Sequence, residues 1–464
     1  MFEDMANLSD PRRRAKRGIR AVLVCVGGTL FVNGCGGERG TDPGGEDPLA
    51  SIDSTRTAWL NGVVAPFETA TVRNDRSDLS VLGTIVGDSR MVSLGEATHG
   101  TREFFQMKHR VLDYLVRELG FTHFALEASL PEMNRVDEWV TAGVGDPVAL
   151  LSGQYFWTWR TQSVLDLMTW AREYNQTRGP RPAVHILGFD MQYPGMAIHN
   201  VNQYLSGIEA DSAMWTAERL SCMSANNARG AFPFDYGSRD ATYRAECRGA
   251  IDDVMDFLDR HQAEYVALTS EPSFALARQS VRLIQQFEDM KSARIGSARD
   301  RAMAENAAWL LERGGPDAKI VLWAHNLHVS RRAGFMGDFL TNEEGIDHII
   351  FGFSFLRGRF TAVTLGVGLE TQVVDIPPPD TYAAHFGSTG FDRFILSLDG
   401  PLADPESSWL IGPRRFRSIG CCYNPSSASS YFYDAQLTDE YDAIIYFAQT
   451  TETLVLPFTP PDQF

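Results

Sequence analysis

Short apolar, β-branched runs alternate with longer stretches of helical periodicity along most of the chain. The clearest runs are Met91–Leu94, Thr122–Leu126, Val184–Gly188 and Lys319–Ala324, each followed by a polar or charged residue and then a helix-like pattern. Such runs read as strands buried on both faces, and their alternation with helices predicts an α/β fold around a central, mostly parallel sheet flanked by helices. Thr101–Leu119 places Phe104, Val111, Leu115 and Leu119 at helical spacing, and Pro131–Val140 and Gln162–Tyr174 also read as helices. Ile349–Phe355, Phe360–Leu365, Gln372–Ile376, Phe394–Leu398 and Ala443–Phe447 continue the strand count. From about 200 to 312 strand signals fall away. Tyr243–Tyr265, Ser273–Met290 and Ala298–Leu311 predict a helical insertion that forms part of the active-site cleft, with a loop at Ser221–Gly237.

The first 35 residues stand apart from this pattern. Arg12, Arg13, Arg14, Lys16, Arg17 and Arg20 precede the apolar run Ala21–Val32, and Val32-Asn33-Gly34-Cys35 closes the segment. The run is too short for a comfortable membrane span, and a small residue before a cysteine resembles a bacterial lipoprotein signal. The expectation is therefore an exported protein of the cell envelope, held to the membrane only by a lipid anchor at Cys35. Residues 36–50 form a flexible tether, and 51–455 the main domain. The formal charge is −17, and because the first 35 residues carry six Lys/Arg against three Asp/Glu, the remainder holds −20. That balance repels phosphate backbones and argues against a nucleic-acid partner. In an oxidising compartment Cys222 and Cys247 are the first candidates for a disulfide, and neither lies in a CxxC or other zinc-binding spacing.

Chemistry concentrates just after the four clearest runs. Glu96 and His99 follow the first, Glu127 the second, Asp190 the third, and His325 with His328 the fourth. Open parallel sheets bind ligands at the carboxyl ends of their strands, so one edge would collect all six. Any one of these residues alone reads as a helix cap; the recurrence across four strands points to a shared cleft. A helix N-terminus disfavours an imidazolium at His99, while a carboxylate from Glu96 or Glu127 favours it and holds one tautomer. This is the base-and-orienter arrangement that takes a proton from water. His325 and His328, three residues apart, point to one side and either polarise a carbonyl or, with the carboxylates, hold a metal. Trp157 and Trp159 read either as core or as the apolar wall of a pocket for a large ring.

A serine esterase needs a nucleophile on a sharp GxSxG turn, and Gly352-Phe353-Ser354-Phe355-Leu356 lacks the second glycine. No Walker loop or GxGxxG follows a strand. Three readings remain open on the residues alone: a hydrolase using activated water, a metal-dependent hydrolase using the same cluster, and a non-catalytic envelope lipoprotein that binds a glycan or lipid.

Leu94-Gly95-Glu96-Ala97-Thr98-His99-Gly100, Glu103-Phe104-Phe105, Lys108-His109-Arg110 and Phe124-Ala125-Leu126-Glu127 together resemble the erythromycin esterase family. So do Gly188-Phe189-Asp190-Met191, Arg299-Asp300 with Met303 and Asn306, and Ala324-His325-Asn326-Leu327-His328. The resemblance implies macrolide antibiotic resistance by cleavage of a macrolactone ester, with no cofactor, tightly bound metal or covalent intermediate. It implies His99 as general base, Glu96 and Glu127 as its carboxylate partners, and His325 and His328 as polarising groups. Lys108, Asp190 and Trp157 are the expected contacts to a small-molecule ester substrate. Lys108 stands where arginine is usual, and it lacks arginine's planar fork.

Overall fold

The computed structural model describes residues 49–224, 236–293, 296–399 and 405–457. The expected export signal with Cys35, almost all of the tether, and much of the predicted 221–237 loop lie outside the described residues. Eleven strands appear among the described residues: β1 (Ala65–Pro66), β2 (Met91–Leu94), β3 (His123–Ser129), β4 (His185–Asp190), β5 (Ile320–Trp323), β6 (Ile349–Thr364), β7 (Gly368–Val374), β8 (Arg393–Ser397), β9 (Arg414–Arg417), β10 (Phe432–Ala435) and β11 (Ala443–Thr450). The main sheet runs β1-β8-β11-β6-β2-β5-β3-β4, with β7 added to β6, and β9 pairs with β10 separately. From β4 to β11 every neighbour is parallel, while β8, β1 and β7 are antiparallel additions.

Both faces of the parallel strands are covered, so the side chains alternate between two cores. Val92 and Leu94 of β2, Val321 and Trp323 of β5, and Phe351, Phe353 and Phe355 of β6 enter one; Met91, Ile320, Leu322 and Ile350 enter the other. The predicted runs Ile349–Phe355 and Phe360–Leu365 are a single strand. The intervening Arg357-Gly358-Arg359 looks like a turn in sequence, but Gly358 is where β6 exchanges partners: it pairs with Thr450 at the end of β11 and with Val374 at the start of its pairing with β7.

The insertion is helical as expected, with Ala241–Leu268, Glu271–Ser292 and Ala298–Arg313 its longest members. Asp240 accepts the Tyr243 N–H at the first of these, and Ser270 the Ser273 N–H at the second, so each start is held by a short polar cap. These helices build a third core from residues such as Val201, Ile251, Leu258, Val281 and Phe287. Cys222 and Cys247 are joined, with Cα atoms 5.8 Å apart. Among the described residues no helix is long and apolar enough to cross a membrane.

Candidate active site

The parallel register levels the site. Leu94 of β2 pairs with Trp323 of β5, Trp323 with Leu126 of β3, and Leu126 with Gly188 of β4. Glu96, His325 and Asp190 each lie two residues past that row and Glu127 one residue past it, so strands distant in sequence deliver them to one edge. β3 runs further than its apolar pattern suggests, to Ser129, with its register shifting between Leu126 and Ser129. Glu127 therefore sits in an irregular strand end.

Glu96 is fully buried and saturated with donors. His99 Nδ1 lies 2.6 Å from its Oε1, while Lys108 Nζ at 2.6 Å and the Trp323 indole N–H at 2.7 Å share its Oε2. Burial opposes the charge of this carboxyl, but Lys108 and His99 outweigh it and hold it below the ordinary glutamate range. With Nδ1 donating to Glu96, His99 Nε2 carries the lone pair. Among the described residues Nε2 has no hydrogen-bond partner, and the His99 side chain keeps 16% of its surface open. Thus one nitrogen is fixed by a buried carboxylate and the other has no protein partner among the described residues.

Both glycines of the Gly95–Gly100 segment are required for close approach. A Cβ on Gly95 would strike Asn326 Oδ1, and one on Gly100 the Thr361 carbonyl of β6. Asn326 fastens these loops: its side-chain amide donates to the Phe353 carbonyl at 2.8 Å and accepts the Phe353 N–H at 2.9 Å, and its own backbone N–H donates to the Glu96 carbonyl at 2.9 Å.

His325 caps the short helix Asn326–Val329, with Nδ1 accepting the Leu327 N–H at 3.4 Å. Burial, helped by His99 and His328, pushes it down to about 3, so the ring is neutral with its proton on Nε2. That Nε2 is buried and has no hydrogen-bond partner among the described residues. The His325 and His99 ring centroids are 5.3 Å apart, so the two unpartnered nitrogens belong to neighbouring rings.

His328 sits in a denser network. Its Nδ1 is 2.6 Å from Asp300 Oδ1, and its Nε2 is 3.0 Å from Arg299 Nη1 and 3.5 Å from Glu127 Oε1. Burial works against its charge, but Asp300 and Glu127 raise it above the usual histidine value. Arg299 Nη2 bridges Glu127 at 2.6 Å and Asp190 at 2.8 Å, while Glu127 Oε2 accepts the His325 backbone N–H at 3.0 Å. Glu127 is held far below the ordinary range, its burial outweighed by His328 and Arg299.

The structure thus unites Glu96, His99, Glu127, Asp190, His325 and His328, and buries the three expected substrate contacts. Lys108 is wholly buried, its ammonium 4.3 Å from the Trp323 ring centroid and bound to Glu96; burial pushes it down to about 8 despite that carboxylate. Asp190 is likewise buried and engaged by Arg299 and Gln192. Trp157 is buried in a single helical turn; its neighbour Trp159 meets the cluster, edge-on to Trp323 at 5.4 Å. Ser354 lies in mid-strand opposite Tyr446, not on a turn. Arg299 and Asp300 complete the site from the insertion, a place that strand ends do not reveal. Among the described residues no group of three His, Cys, Asp or Glu side chains is disposed to hold a metal ion.

The fold is a mostly parallel α/β scaffold whose strand ends gather carboxylates and histidines. Residues 116–450 match the sequence profile of the erythromycin esterase family, and the chain belongs to that family. It is 25% identical over 338 residues to the erythromycin esterase type II of Escherichia coli, covering 66% of this chain and 78% of that one. It is 21% identical over 432 residues to the putative hydrolase YbfO of Bacillus subtilis, covering 86% and 92%. Solved structures share the fold: a succinoglycan biosynthesis protein (TM-score 0.76, 20% identity, 88% of this chain and 99% of that one) and a mutant of the erythromycin esterase EreC in its open conformation (0.61, 16%, 83% and 97%).

Proposed function

We propose that the protein is an exported, lipid-anchored hydrolase that cleaves a carboxylic ester or lactone by direct attack of water. The observation that carries this reading is the asymmetry of His99, with Nδ1 bound to a buried carboxylate and Nε2 without a protein partner on a side chain that keeps some of its surface exposed. His99 Nε2 takes a proton from water as the water oxygen bonds to the carbonyl carbon, and Glu96 stabilises the imidazolium that forms. The developing oxyanion accepts the otherwise unpartnered His325 Nε2–H, a donor fixed before the substrate arrives. Collapse breaks the bond to the alkoxy oxygen, which recovers the proton from His99; a lactone leaves as one ring-opened hydroxy acid. A macrolide macrolactone is the substrate that the family resemblance favours. Mass-spectrometric screening of macrolides and simpler esters, with wild type and His99→Asn, tests the proposal. A gain of one water with wild type, lost in the variant, is expected; equal turnover by the variant overturns it.

A further inference from the structure

The β6–β7 hairpin has no part in the chemistry above, yet it rises directly from the site. Phe351 of β6 is level with Leu94 of β2, so the rest of this 16-residue strand runs past the edge that carries Glu96 and His99. Thr361 donates its N–H to the carbonyl of Gly100, the residue after His99, at 3.0 Å. Four residues further, about 13 Å beyond at the rise of a strand, the chain turns.

From Phe360 to Leu369 that arm carries no charged residue. Leu365 is 58% exposed, Val367 62% and Leu369 40%, so it presents three aliphatic side chains to solvent; Val373, 61% exposed, follows beyond Glu370. Leu454, 55% exposed, adds to the same mouth: the preceding Thr453 donates to Gly100 and accepts from the Thr361 hydroxyl. Scattered exposed aliphatics are ordinary, but a charge-free cluster on a projecting turn marks a contact surface.

We infer that this hairpin is a lipid-contacting arm, with Leu365, Val367 and Leu369 entering the interfacial layer of a bilayer and holding the mouth of the His99 cleft against it. The occupant follows from the chain preceding the domain. Residue 49 lies 14 positions after Cys35, a tether of at most about 50 Å, so on the lipoprotein reading proposed above the domain works within reach of a membrane. The excess of negative charge would oppose an electrostatic landing on anionic lipid, which leaves aliphatic insertion as the attraction.

The test measures depth at the tip. A nitroxide on Val367→Cys, in a full chain also carrying Cys25→Ser and Cys35→Ser, is mixed with phosphatidylcholine vesicles, with a second probe on Asp211→Cys in the insertion as reference. The tip probe should become several-fold more accessible to oxygen than to a water-soluble nickel chelate, while the reference probe remains aqueous. A tip probe that stays aqueous overturns the inference. So does a tip already shielded before vesicles are added, with light scattering giving a doubled mass, because a second copy then covers the patch. Turnover is not read, so failure of the ester-cleavage proposal would leave this result standing.

Discussion

Glu96→Gln separates the electrostatic and structural duties of the most buried group in the site. The amide is nearly isosteric, and its oxygen can still accept from Lys108 and Trp323. Its NH2 then faces His99 Nδ1, now 2.6 Å from a carboxylate oxygen, and obliges that nitrogen to accept. The proton moves to Nε2, and the lone pair that would receive a proton from water is lost. A wrong tautomer with no counter-charge for the imidazolium should lower kcat by about 10²–10⁴-fold with KM little changed. The same substitution strands the buried Lys108 ammonium, costing stability on the order of 3–5 kcal/mol. Adding Lys108→Met removes that stranded charge, so the double variant should recover most of the lost stability in urea unfolding and none of the lost kcat. A Glu96→Gln protein that is folded by near-ultraviolet circular dichroism and turns over within threefold of wild type would refute the argument.

Two further outcomes follow from the burial of charge. Arg299→Met leaves Asp190 without a cation and Glu127 with His328 alone, so stability should drop by about 3–5 kcal/mol, and urea unfolding at pH 7 measures it; a loss under 1 kcal/mol contradicts the assigned bridge. His385 is pushed down to about 4 by burial, aided by Arg414 and Arg56, and both ring nitrogens lack partners among the described residues. Its folded value lies below the unfolded one, so the unfolded chain binds the proton first as pH falls through about 6.5, and stability declines down to about 4. His385→Phe, against the Trp409 ring 4.7 Å away, should flatten that decline; an unchanged slope of unfolding free energy against pH would contradict it.

How much of this is visible in sequence depends on whether local periodicity governs a residue. The four central strands and the insertion helices are legible because apolar spacing decides burial, and the edge carrying Glu96, Asp190 and His325 follows from parallel pairing alone. For Lys108 the spacing predicts the burial that its family position does not. It falls between Phe104 and Val111 on the apolar stripe of its helix, and so belongs inside. Arg299 has no signal in its spacing, only its place in the Arg299-Asp300 block of the resemblance: a charged residue in a first helical turn ordinarily faces water, and the packing of the insertion on the sheet turns it toward Glu127. The β6 strand defeats local reading for a related reason, since a glycine between two arginines looks like a turn until both of its partner strands are known.

Asn326 has a consequence for how ligand binding is felt by the protein. Its side-chain amide does the work of a missing peptide unit, donating to and accepting from Phe353 where backbone pairing between β5, β2 and β6 has ended. The loops bearing Glu96 and His325 are thereby ordered before any substrate enters, so binding need spend little conformational entropy there. Recognition then resembles filling a mould more than closing a hand. The helix that supplies Arg299 is part of the same mould: Met303, Ala304 and Ala307 pack with Ile320 and Leu322 of β5, and Asn306 donates to the Phe189 carbonyl of β4.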